Sequence, residues 1–289
     1  MSALRRLALP ADTAAPAVDA PLLGRLAIGA LHAELACTLK PGLVTPSSSG
    51  SHADMDAATF MRSLFALRGY FVAIARQASR QPDFAPLRRL GMQAETAMLT
   101  ATGGVNTHRG AIFSLGLLVA QSARLRARTG QAAAAEAVCN GVRQWHGDLI
   151  AAPLDSDSPG QRARLRHGVE GVREQAAAGF PLLRETALPI LRRALEDGMP
   201  RDRALLQTLM HLVAVTDDLN LLHRGGRQGL DFAQRLARVF LAEGGVHADD
   251  WQRRMTGICR AFEARRLSPG GSADLLACSL FLLQQENIR

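Results

Sequence analysis

The sequence is short of lysine, aromatic residues and paired cysteines, and each shortage removes a class of protein. Lys40 is the only lysine among 34 basic residues, so the positive charge is otherwise carried by arginine. Aromatic residues make up 4% of the chain and Tyr70 is the only tyrosine, which leaves no series of rings on which nucleic-acid bases could stack. The formal charge of +8 suits an anionic small-molecule partner or a solvated arginine-rich surface, and its basic residues are scattered. Cys37, Cys139, Cys259 and Cys278 stand far apart in apolar helical surroundings with no CxxC pair, and read as small buried hydrophobes, not as a zinc site or a disulfide frame. After Arg5 and Arg6, the residues Pro10, Asp12, Pro16 and Asp19 interrupt any signal-peptide core, and no apolar run is long enough to span a bilayer. A cytoplasmic protein with neither nucleic acid nor membrane as partner is expected. A Walker A sequence, GxxxxGK(S/T), is also missing.

What is present is Ala and Leu, in a chain that is 47% hydrophobic and 289 residues long. That length can bury a sizeable core, and that composition favours helix. No strand-period run and no internal repeat stands out. The expectation is an all-α protein with a single compact multi-helix domain over residues 21–289, behind a flexible N-terminal tail of residues 1–20. A helix is expected from Pro21 to Leu39, stopped by Pro41-Gly42. The next starts near Asp54, where Phe60, Leu64, Leu67, Phe71 and Ile74 form one helical stripe. Further helices are expected over 87–99, 110–128, 131–140, 161–178, 182–197, 201–223, 229–243 and 248–265, with a last one from Ser272 and an irregular stretch over 141–160.

Five polar segments interrupt this background. In the first, Glu34 lies on the helix face of Leu26 and Ala30 and needs a cation, a metal or a donor if buried. Lys40 follows, and its ammonium suits a phosphate as a point charge. In the second, Asp54 is a plausible N-cap with Asp56 in the first turn, while His52, Asp54 and Asp56 together could bind a hard cation such as magnesium. The third, Thr102–Gly110, sets Gly103 and Gly104 before Asn106, His108 and Arg109 at a helix start, where backbone N–H groups favour anions. A simple capped entrance is the competing reading. In the fourth, Asp217 continues the stripe Leu205, Leu209, Val213 and shares a face with Asn220 and Arg224, while Asp218 points elsewhere. The fifth, Ser268-Pro269-Gly270-Gly271-Ser272, is a helix entrance with Ser272 as N-cap, or an anion-binding nest.

Together these segments resemble the triphosphoribosyl-dephospho-coenzyme A synthase family. The matching stretches are Lys40–Val44, Gly50–Asp56, Thr102–Leu117, Gly168–Pro181, Asp218–Gly226 and Ser268–Ala277, in the family's order. The form Ser-Gly-Ser-His-x-Asp-Met-Asp at Ser49–Asp56 looks closest to the malonate decarboxylase branch, as opposed to the citrate lyase branch. Leu219 departs from the family's Asp-Thr-Asn. The resemblance implies that the 2′-hydroxyl of 3′-dephospho-CoA attacks C1′ of the ATP ribose and adenine leaves, the triphosphate serving as a handle. A separate transferase would then pass the product to a carrier protein. It also implies roles for the polar segments. Lys40, His52, Gly103, Gly104, Asn106, Arg109, Asn220, Arg224, Gly225, Gly226, Ser268, Gly270 and Gly271 would hold substrate and phosphate. Asp54, Asp56 and Asp218 would hold Mg2+. Glu34, His108 and Asp217 are candidates for charge stabilisation, acid and base, unassigned among themselves. A homodimer is left open. The alternative is a metal-dependent hydrolase of nucleotide or ADP-ribose-type N-glycosides, with water as acceptor.

Overall fold

Aspartate side chains cap the starts of three helices. The structure is a computed structural model that describes residues 18–152 and 158–288; of the tail expected at residues 1–20, residues 1–17 lie outside these, and Ala20 already belongs to the first helix. Helix α1 (Ala20–Ala36) starts where Asp19 Oδ1 accepts the Leu22 N–H at 2.8 Å, with Pro21 in its first turn. Helix α2 (Ala57–Arg80) is capped by Asp56, which accepts from the Thr59 N–H at 2.8 Å and the Thr59 hydroxyl at 2.7 Å. The cap is thus Asp56 and not the expected Asp54. Helix α3 (Phe84–Ala101) ends in a left-handed turn through Gly103 (φ 68°) and Gly104 (φ 90°). Helix α4 (Arg109–Thr129) begins after Asn106 Oδ1 takes the Arg109 N–H at 3.0 Å.

The middle of the chain is more broken than its composition suggests. It holds α5 (Ala135–Gly141), α6 (His146–Ala151), α7 (Pro159–His167) and α8 (Val172–Ala177). The single helix expected over 161–178 is two, parted at Gly168, which is left-handed at φ 63°. A π-helical turn at Leu183–Ala187 leads into α9 (Leu188–Glu196), where Pro189 has no N–H to continue the ladder. Helix α10 (Arg201–Val215) ends eight residues before the expected 223, and α11 (Leu219–Ala242) starts at once, with a break at Gly226 (φ 60°). Last come α12 (Trp251–Ala264) and α13 (Gly270–Glu286). Ser272 therefore lies inside α13 and is not its cap. Among the described residues there is no strand, only an isolated bridge between Thr45 and Ser48.

The helices form one domain around α13, which packs on α1, α4 and α10 and buries Leu276, Cys278, Phe281 and Leu282. Contrary to the sequence expectation, α2 is long and apolar enough by length and composition to cross a membrane. Here it packs on α1, α3 and α4 with Leu64, Leu67, Phe71 and Ile74 buried, which is what a core helix does. Between α1 and α2 the chain turns at Gly42 (φ 67°), where an added Cβ would stand 2.0 Å from the Leu267 carbonyl oxygen. That contact draws the 42–51 loop onto the α12–α13 connection. Gly42→Ala combines left-handed strain of about 1–2 kcal/mol with this clash, and chemical denaturation is expected to show a loss of at least about 2 kcal/mol.

Candidate active site

A cavity of about 1300 Å³ is walled by α1, α3, α4, the α7–α8 segment, α11 and the start of α13. Three carboxyl residues from three helices meet at its lining: Glu34 of α1, Asp218 at the cap of α11, and Asp274 of α13. Each is held differently.

Glu34 is buried and ion-paired with Lys40, whose side chain is only 1% exposed. Lys40 does not line the cavity, so the expected phosphate contact through its ammonium is replaced by support of Glu34 from behind. Asp218 is buried and accepts four hydrogen bonds, from the N–H groups of Asn220 (2.9 Å), Leu221 (3.4 Å) and Ser272 (2.8 Å) and from the Ser272 hydroxyl (3.0 Å). Burial nevertheless pushes its pKa above the usual carboxylate range, against the pull of these donors. Asp274 has no hydrogen-bond partner among the described residues. Burial, and then the neighbouring charges of Glu34 and Asp218, push its pKa far up.

His108 stands at the entrance of α4 with its ring edge-to-face on Phe60, 4.9 Å between centroids. Nδ1 lies 2.7 Å from Ser63 Oγ and 3.1 Å from Thr107 Oγ1, while the buried Nε2 has no partner. Burial and the Lys40 charge lower its pKa to about 3, so the ring is neutral at physiological pH. His52 is also neutral, lowered to about 4 by burial and by Arg224. Its Nδ1 accepts from Arg224 Nη2 at 2.9 Å, which leaves the Nε2–H to donate to Ser268 Oγ at 2.9 Å. Arg224 Nη1 also donates to the carbonyls of Ser51 (3.0 Å) and Arg266 (3.1 Å), strapping two loops together at the rim.

Of the other residues singled out from sequence, Asn106, Arg109, Asp217, Asn220, Gly270 and Gly271 line the cavity. Arg109 is ion-paired with Glu95, and Asp217 is exposed, 3.8 Å from Arg227. Asp217 does not continue the Leu205–Val213 stripe, because α10 has ended before it. Gly270 and Gly271 lie against Asn220 and Asp218; a Cβ on Gly270 would stand 2.6 Å from Asn220 Nδ2. Gly103, Gly104, Gly225 and Gly226 do not line the cavity. The first pair ends α3, and Gly226 breaks α11. Leu219 lines the cavity wall, packed towards Gly160 and Gly171.

The expected metal set is not assembled. Asp54 has a side chain 62% exposed, Asp56 caps α2, and neither lines the cavity. Asp218 uses its roughly four acceptor positions on protein donors. Among the described residues no group of three or more His, Cys, Asp or Glu is arranged to hold a metal. Asp274 was missed as a site residue, although it is the lone acid in an apolar stretch of α13 and so called for a reason.

An all-helical domain with a large cavity, acids at its lining and arginines such as Arg88, Arg109, Arg173 and Arg224 among the residues around it suits an enzyme acting on phosphorylated small molecules. The profile of the CitG family, ATP:dephospho-CoA triphosphoribosyl transferase, matches residues 20–289. The chain belongs to that family and is a transferase. A relative from Klebsiella pneumoniae, 2-(5''-triphosphoribosyl)-3'-dephosphocoenzyme-A synthase, is 41% identical over 264 residues, covering 88% of this chain and 87% of its own. A protein of the same name from Pectobacterium atrosepticum is 40% identical, covering 88% and 85%. A probable synthase from Acinetobacter calcoaceticus is 36% identical, covering 92% and 91%. No solved structure matches the chain.

Two outcomes follow from this geometry. Lys40→Met leaves Glu34 buried without its counter-charge and is expected to destabilise the fold by about 3–5 kcal/mol in denaturant titration. The double variant with Glu34→Gln is expected to recover much of that; a loss below about 1 kcal/mol for the single variant would contradict the pair's role. His108 is kept neutral in the fold, whereas the unfolded chain takes up a proton below its ordinary value of 6.5. Stability therefore falls as pH drops from 6.5 towards 3, by up to about 1.4 kcal/mol per pH unit for this proton. Thermal unfolding of His108→Asn across that range is expected to show a correspondingly shallower pH dependence.

Proposed function

We propose that this chain transfers the 5-triphosphoribosyl group of ATP to the 2′-hydroxyl of 3′-dephospho-CoA and releases adenine. The observation that carries this reading, beside family membership, is the cavity: about 1300 Å³ exceeds the roughly 300–1,000 Å³ typical of single-ligand pockets and suits two nucleotides held together. In the reaction the O2′–C1′ bond forms as the C1′–N9 bond breaks, through a state with positive charge on the ribose. The Glu34 carboxylate, anchored by Lys40, stabilises that charge. With Nδ1–H donated to Ser63 Oγ, the His108 Nε2 lone pair is available to take the 2′-hydroxyl proton. Arg109, Arg224, Asn220 and the N-terminus of α13 grip the phosphates, with Ser268 and His52 holding Arg224 and its loop in place. Mg2+ enters with ATP as part of the substrate complex, and no step here depends on a resident metal site.

The segment Ser49–Asp56 supports the finer reading that the product is the prosthetic-group precursor of a malonate decarboxylase carrier protein, with citrate lyase as the other branch. A separate transferase in the cytoplasm would attach it.

The test is adenine release from Mg-ATP, with and without 3′-dephospho-CoA, followed by chromatography and mass measurement. Adenine formed only with the acceptor, together with a matching heavier coenzyme A species, is expected. Adenine formed regardless of acceptor would make the chain a hydrolase. Glu34→Gln is expected to lower kcat by about 10²–10³-fold.

A further inference from the structure

We propose that Asp274 is the general acid of the transfer, donating the carboxyl proton to a ring nitrogen of adenine as the C1′–N9 bond breaks. This rests on the reaction proposed above and deepens it. The cavity offers three enclosed carboxyl groups, and two are engaged: Glu34 by Lys40, and Asp218 by four donors. Asp274 lines the same cavity, half-buried, and receives no hydrogen bond from any described residue. A carboxyl drawn partly out of water without donors is less favourable as an anion than as a neutral acid, and the nearby charges of Glu34 and Asp218 act in the same direction. The carboxyl faces the first turn of α4. A Cβ on Gly110 would meet Asp274 Oδ2 at 2.1 Å, so the glycine is what makes room for the acid there. Two residues before Gly110, His108 presents a buried atom without a partner, Nε2. Two unpartnered groups of opposite proton habit, a neutral acid and a neutral base, thus line one cavity from neighbouring helices.

The protons balance. The bonding pair of C1′–N9 passes to adenine, which takes the Asp274 proton. The 2′-hydroxyl oxygen bonds C1′ and gives its proton to His108 Nε2. Return of that proton from His108 to the Asp274 carboxylate, through solvent after product release, resets the site.

The experiment compares two donors: ATP, and 4-nitrophenyl riboside 5-triphosphate, whose leaving group departs without protonation. Asp274→Asn, nearly isosteric, is expected to lower kcat with ATP by about 10²–10⁴-fold and to leave the nitrophenyl donor's rate within the same order of magnitude. Equal losses on both donors, or no loss with ATP, would overturn the assignment. Should the variant fail to fold, the wild-type enzyme decides. Its kcat with ATP is expected to fall on the basic side as the acid deprotonates, and the fall to be absent with the nitrophenyl donor. Glu34, Asp218 and His108 face the same space and are common to both donors, so identical profiles would also overturn it. A wild-type enzyme that makes no transfer product fails the underlying reaction, whereas normal transfer with a donor-independent Asp274→Asn effect fails only this step.

Discussion

A carboxylate taken out of water must be surrounded by donors, and Asp218 meets that demand by joining two helix starts. One oxygen accepts the first N–H groups of α11, and the other accepts the backbone and hydroxyl of Ser272 in α13. This staple caps the start of α11 and ties it to the first turn of α13. Gly270 and Gly271 let the α13 backbone come against Asn220 and Asp218, which no larger residue would allow at Gly270 without movement. The floor of the cavity is the consequence: α13 is brought to α1 and α4, and Glu34, Asp274 and His108 are brought to one space.

The charge distribution in that space matches the chemistry of ribosyl transfer. Positive charge develops at C1′ while the triphosphate stays negative throughout. The acids lie inside, with Lys40 holding Glu34 from behind. Burial keeps His108 neutral, which leaves its Nε2 lone pair free but makes it a weak base, and raises Asp274 so that its carboxyl holds a proton more readily. The rim holds Arg109 and Arg224, whose own partners, Glu95 and the 51–52 and 266 loop segments, keep them in position. In the proposed reaction, phosphates gripped at the rim would be held away from the groups that act on the sugar, and so bound without being activated for transfer.

Much of the helical layout was legible from local pattern. The stripe Phe60, Leu64, Leu67, Phe71, Ile74 forms one face of α2, and Gly130 ends α4 in the left-handed turn that glycine favours. What local pattern missed were features set by distant partners. Asp218 caps α11 locally, but that it also binds Ser272, 54 positions along the chain, is not legible near Val215. Lys40 stood out as the only lysine, yet its partner is Glu34 within the same segment and not a ligand. Gly103 and Gly104, expected to bring backbone N–H groups close to an anion, turn the chain at the end of α3, and Gly226, expected from the family resemblance, breaks α11. Asp274 was visible as an acid in an apolar helix, but its lack of donors is a property of packing alone.

The central claim is that one cavity holds both nucleotides side by side with the acids next to the ribose of ATP. It is tested most directly by calorimetric titration of 3′-dephospho-CoA into protein saturated with a carbon-linked ATP analogue that cannot release its base. Each is expected to bind at one site per chain and to leave the other's site available, and the reaction product to displace both. Mutual exclusion of dephospho-CoA and the analogue would contradict it.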